Sequence, residues 1–149
     1  MFPATGAINL PPTDQAIYRV LDANCNRLRE ALRVIEEYFR FIENNEPASI
    51  ELKGIRHKLI GVEARLGPDN LLTNRNSTGD CFADTNRPEE MERSGGTAAL
   101  LAANIKRAQE AARVIEEYTK LTPTADVSET AKNIRFSLYR FEQQFTRIP

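Results

Sequence analysis

The chain has 149 residues, 41% of them hydrophobic and 28% charged, with a formal net charge of −1 and a pI near 5.9. That is the size and composition of one globular domain with its own core, and the balanced charge excludes the basic field that nonspecific nucleic-acid binding requires. No apolar run approaches the roughly 20 residues of a membrane span, and the opening MFPATGAINLPPT lacks the charged start and apolar stretch of a signal peptide, so a soluble, cytoplasmic protein without a membrane partner is expected.

Residues 1–12 carry Gly6 and three prolines and read as an extended lead-in. Thr13, with Asp14 in the first turn, reads as an N-cap. The apolar pattern at 17, 21, 24, 28, 31, 35, 38 and 42 then predicts one helix of about thirty residues running to Asn44 and Asn45. Pro47 and Ser49 restart the chain. Ile50, Leu52, Ile55, Leu59, Val62 and Leu66 form a second stripe that closes at Gly67 and Pro68, making 13–66 a helical hairpin. Residues 67–96 are dense in Gly, Asn, Asp and Thr and read as a connecting loop, with one helical turn starting at Pro88. Its length suits either a functional loop or a plain connector. Residues 97–121 predict a third helix, Thr122 and Pro123 break it, and Ala131, Ile134, Leu138, Phe141 and Phe145 mark a fourth, so 97–149 is a second hairpin.

The two hairpins are copies of one unit. LDANCNRLREALRVIEEYFRF at 21–41 returns as LAANIKRAQEAARVIEEYTKL at 101–121 with twelve of twenty-one positions identical, and Lys53, Ile55, Arg56 and Leu59 recur as Lys132, Ile134, Arg135 and Leu138. No stretch combines period-two alternation with β-branched enrichment. The expected fold is all-α: a single domain of four main helices, arranged as two duplicated hairpins in a bundle with pseudo-two-fold symmetry.

The repeat retains polar residues as well as apolar ones. At 100° per residue Asn24 and Asn104 fall at the centre of their apolar stripes, so both amides should be buried, either fixing register or lining a site. Arg27, Glu30 and Glu37, with Arg107, Glu110 and Glu117, border the same stripes; they form either an ion-pair ladder or a polar rim to a site. Arg33, Glu36, Arg113 and Glu116 project to the opposite side and are expected in solvent. Cys25 and Cys81 lack metal-ligand spacing, and Cys25 is matched by Ile105, which marks it as a small apolar packing residue.

The repeat fails at His57, which is replaced by Phe136. A helical His opposite a Phe is either a half-buried packing residue or the base of one asymmetric site, which Arg75, Asp80 and Asp84 of the loop could approach. Asp80 after Gly79 is the best metal-binding carboxylate of the loop, or a turn residue. Ser94-Gly95-Gly96-Thr97 could hold a phosphate or simply cap the third helix. No Gly-x-x-x-x-Gly-Lys-Ser/Thr, dinucleotide Gly-rich turn, His-Glu-x-x-His or Gly-x-Ser-x-Gly motif is present.

The pattern AN-x-x-R-x-x-E-A-x-R-V-I-E-E-Y, at Ala23–Tyr38 and again at Ala103–Tyr118, together with Ile55-Arg56-His57, resembles the helical hydroxymethylpyrimidine phosphate kinase domain of thiamine biosynthesis, often fused ahead of thiamine-phosphate synthase. The resemblance spans about residues 17–145. It implies transfer of the ATP γ-phosphoryl group to hydroxymethylpyrimidine phosphate, with ATP and Mg²⁺ as cofactors. On that basis Arg27, Arg56 and Arg107 hold phosphates, Asp80 and Glu110 bind Mg²⁺, Asn24, Asn104 and His57 orient the pyrimidine, and His57, Arg75 and Asp80 make the catalytic set. The loop departs from the family's Arg-Asp-Thr and Asp-Val-Gly stretch: it reads Arg75-Asn76-Ser77-Thr78-Gly79-Asp80-Cys81-Phe82, with Asn76 and Phe82 replacing an acid and a glycine. The alternative is a catalytically silent helical relative that binds a partner or forms a homodimer.

Overall fold

The first apolar stripe folds as α1, Pro12–Glu37, and passes without a break into a π-helical turn, Tyr38–Ile42. A computed structural model describes this and the rest of residues 12–84 and 93–146. Pro12 therefore belongs to the helix, while the remaining lead-in, and the turn expected at Pro88, lie outside the described residues.

The π turn is seen in the wide spacing of its bonds, Glu43 N–H to Tyr38 O at 3.0 Å and Asn45 N–H to Phe39 O at 2.7 Å. Asn44 then adopts φ +52°, a left-handed conformation that Asn tolerates, and reverses the chain. Asn45 caps α2, Glu46–Leu66, by accepting the Ala48 N–H at 3.1 Å. Gly67 ends α2 at φ +93°, where a Cβ would stand 2.8 Å from the Asn70 amide nitrogen, so the turn requires glycine. A short helix, α3 (Pro68–Thr73), follows at once and buries Leu71. It was not expected, because Gly67-Pro68 reads as a stop although proline equally starts a helix. The second hairpin consists of α4, Gly96–Thr119, and α5, Val127–Phe145.

Among the described residues every regular element is a helix and none is a strand, and the packing closes a ring: α1 on α4, α4 on α5, α5 on α2, α2 on α1, with α3 resting against α1 and α2. Leu21, Leu28, Leu32, Ile35, Leu52, Leu59, Ile105, Ile115, Ile134 and Leu138 are buried at its centre, each contributing about 1.5–3 kcal/mol relative to exposure. Phe39 of the π turn stacks edge-on against Phe141 at 5.1 Å and Phe145 at 6.1 Å, joining the two hairpins at one end. Cys25 and Ile105 are both buried to 1% exposure, as their equivalence predicts.

Because the ring has two neighbours for every helix, α1 is buried along two seams. Positions 24, 28, 31 and 35 face one side, whereas 22, 25, 29, 32 and 36 form the second, and several polar residues of the second seam are paired: Asp22 with Arg75, Arg29 with Glu63, Glu36 with Arg56. Glu36 and Glu116 are thus not in solvent as expected; they are 4% and 5% exposed, because each lies on its helix's second seam. The neighbouring Arg33 and Arg113 are exposed as expected and bridge to Glu36 and Glu37, and to Glu116 and Glu117.

Candidate functional site

Two helices converge on one polar cavity. Where α1 crosses α4, a space of about 260 Å³ is enclosed by Arg27, Glu30, Ala31 and Val34 from one helix and Asn104 and Arg107 from the other. Ala31 and Asn104 are buried and make its floor, while Arg27, Glu30 and Arg107 are exposed and make its rim. The helical period explains the set: 27, 30, 31 and 34 lie within one stripe of α1, and 104 and 107 are one turn apart on α4.

The floor amide is preset. Asn104 Nδ2 donates to the Leu100 carbonyl at 2.9 Å, which orients the side chain and leaves Oδ1 with no hydrogen bond among the described residues. Its counterpart Asn24 donates to the Val20 carbonyl at the same distance, but its Oδ1 accepts from Arg27 Nη1 at 3.4 Å. Arg27 and Arg107 form no ion pair with a carboxylate among the described residues, so both charges remain available to an anion. Glu30, which borders the stripe in sequence, is the acid of this wall, and Glu110 is exposed one turn beyond Arg107.

The other expected site residues lie elsewhere. Arg75 holds Asp22 through two bonds of 2.8 Å, and Asp22, 5% exposed, in turn keeps the guanidinium charged, pushing its pKa above the ordinary arginine value. Arg19 adds a bond to the Asn76 carbonyl at 3.0 Å, so the loop is clipped onto the second seam of α1, about 140° round the helix from Arg27. Asp80 closes an Asx turn by accepting the Phe82 N–H through Oδ1 at 3.0 Å. Arg56 pairs with Glu36, fourteen residues and so about 20 Å along α1 from Asp22, the residue that holds Arg75. His57 itself is exposed on α2, as is Phe136 on α5. Among the described residues no group of three or more His, Cys, Asp or Glu side chains is placed to hold a metal ion.

What the sequence concealed was the repeated clamp. Arg135 donates to Glu116 through Nε at 2.9 Å and Nη2 at 3.2 Å, and Arg56 reaches Glu36 in the equivalent place, with Nη2 at 3.1 Å. The signal was present in the recurrence of Arg56 as Arg135 and Glu36 as Glu116 at almost the same offset.

The chain is similar to several curated proteins over most of its length. Thiamine-phosphate synthase of Thermosynechococcus vestitus is 43% identical over 143 residues, 95% of this chain but 39% of the relative. Thiamine-phosphate synthase of Nostoc punctiforme is 38% identical over 128 residues, covering 86% of this chain and 35% of the relative, and that of Synechocystis sp. is 39% identical over 127, covering 85% and 35%. The chain therefore spans under two fifths of the length of these curated relatives. No solved structure matches it. The model of the ThiD2 family matches residues 19–144, which include both copies of the repeat and the connector between them, and the chain belongs to that family.

Proposed function

We propose that this chain is an enzyme of thiamine biosynthesis that transfers the γ-phosphoryl group of ATP to hydroxymethylpyrimidine phosphate, giving the diphosphate. The observation that carries the reading is the convergence of Arg27 and Arg107, two guanidiniums from equivalent positions with no carboxylate partner among the described residues, on a cavity floored by a preset amide. A pyrimidine phosphate asks for that combination: cations for the phosphate, and a fixed acceptor, Asn104 Oδ1, for a ring amino group. The relatives' name as thiamine-phosphate synthases is consistent with a helical module supplying the diphosphate that such a synthase consumes.

The chemistry explains why no base is needed beside the cavity. The nucleophile is an oxygen of the substrate's own phosphate, whose second ionisation lies near 6, so it is already anionic at neutral pH. That oxygen bonds to the γ-phosphorus as the bond to ADP breaks, and no proton has to be removed. What the protein contributes is position and charge, which the two arginines supply.

Mg²⁺ in such reactions is held by one or two carboxylates together with substrate phosphates, and when bound it neutralises charge on the transferred group. Glu30 in the cavity wall fits that mode, with Glu110 its equivalent on α4; Asp80, turned into its own loop, does not. The test is direct. The purified chain with ATP, Mg²⁺ and hydroxymethylpyrimidine phosphate is expected to form ADP and the diphosphate in equal amounts, read by phosphorus NMR. A folded protein that forms neither would instead support a silent accessory module.

A further inference from the structure

The two Glu–Arg clamps are equivalent in sequence but not in their surroundings. In the second hairpin the three cations around the clamp are occupied: Arg135 uses Nε and Nη2 on Glu116 and Nη1 on the Tyr139 hydroxyl at 3.3 Å, and its guanidinium lies 5.0 Å from the Phe136 ring centre. Lys120 pairs with Glu117 at 3.1 Å, and Lys132 sits over Phe136 at 5.8 Å.

In the first hairpin the same three positions are Arg40, Lys53 and Arg56, and His57 and Ile60 stand where Phe136 and Tyr139 would cover them. There Arg56 keeps one aligned bond to Glu36. Its Nε is 2.9 Å from Glu36 Oε2 but its N–H is directed at no acceptor, a buried donor left without a hydrogen bond, and Nη1 has no partner among the described residues. Among the described residues Arg40 meets only the Phe41 ring, at 4.9 Å, and Lys53 forms no ion pair. All three line one cavity of about 450 Å³ with Glu36, Glu46 and Ser49, built around the π turn that the second hairpin lacks.

We infer that this cavity is a second binding site, for a phosphate-bearing small molecule, created when one of two equivalent clamps was left uncovered. The cations exceed the carboxylates there by one, and Glu36 is already held by Arg56, which leaves Arg40, Lys53 and the Nη1 of Arg56 to receive an oxyanion. The site is separate from the α1/α4 cavity: Glu36 and Val34, which line the two, point about 160° apart round α1. It does not depend on the kinase reading.

The probe is inorganic pyrophosphate, titrated into the nitrogen-15-labelled chain at constant ionic strength without ATP. Saturable amide shifts at Arg40, Lys53 and Arg56 are expected, with or without shifts at Arg27 and Arg107. Lys53→Ala and Arg40→Ala, both exposed, should each weaken binding about tenfold. Ile60→Tyr, which restores the covering hydroxyl of the second hairpin without altering a lining residue, should weaken it likewise, whereas Arg107→Ala should leave these shifts in place. Shifts confined to residues 27–34 and 104–107, no saturable shift at millimolar pyrophosphate, or unchanged affinity in Lys53→Ala and Ile60→Tyr would overturn the inference.

Discussion

The unequal clamps predict unequal losses of stability from the same substitution. Glu116→Gln keeps the side-chain volume but removes the charge, and turns one acceptor oxygen into an N–H₂ that faces a guanidinium. Glu116 is 5% exposed and accepts two aligned bonds from Arg135, whose side chain is 12% exposed. With charge-assisted bonds at about 1.5–3 kcal/mol each and one of the two retained in weaker form, the expected cost is about 2–3 kcal/mol. Glu36→Gln loses less, about 1–2 kcal/mol, because Glu36 accepts one aligned bond from an Arg56 that is twice as exposed, at 24%, and otherwise only a long bond of 3.5 Å from the exposed Arg33. Urea unfolding followed by far-UV circular dichroism measures both, as a fall in midpoint at unchanged slope. The thermal midpoint should drop by about 2–4 °C per kcal/mol for a chain of this size. Glu36→Gln costing as much as Glu116→Gln, or either being neutral, would refute the reasoning; a Glu116→Gln/Arg135→Met double variant should recover part of the loss.

Other outcomes follow from the same geometry. Burial pushes the Cys25 thiol up to about 12, so in the native protein only Cys81 should react with Ellman's reagent at pH 8, and both in denaturant. Since that pKa is raised on folding, the unfolded chain loses its proton first; the native thiol's contribution to stability is complete below about 9 and declines as pH rises toward about 12, a decline that Cys25→Ala should remove. Asp22→Asn should release the connector from α1, detected as faster amide exchange at residues 75–80 with little change in α4 and α5. Phe39→Ala should cost about 3–5 kcal/mol by opening the aromatic contact between hairpins.

Much of the fold was legible in one dimension. The apolar period and the repeat mark both hairpins to within a few residues, and the central placement of Asn24 and Asn104 correctly predicts their burial, because those signals are local to one helix. Glu36 and Glu116 misled for the opposite reason: a helix in a closed ring buries a second seam, and whether a polar residue there is solvated depends on a partner twenty residues away on another helix. The same holds for the connector, whose docking rests on Arg75 meeting Asp22 across 53 residues. The candidate cavity was half visible. Arg27, Arg107 and Asn104 line one cavity, whereas His57 is exposed in the middle of α2 and Arg75 and Asp80 lie in the connector, which docks on the second seam of α1. Glu30 was seen only as part of a polar row, since its role as the wall's acid depends on how α1 crosses α4.

The central claim is that the α1/α4 cavity holds the phosphate that is phosphorylated, and Arg107 tests it most directly. Steady-state turnover of hydroxymethylpyrimidine phosphate with saturating ATP and Mg²⁺ should fall by about 10²–10³ in kcat/KM for Arg107→Ala, with partial recovery in Arg107→Lys, which restores charge but not the planar fork. An Arg107→Ala protein that unfolds at the wild-type urea midpoint and keeps wild-type kcat/KM would contradict the account.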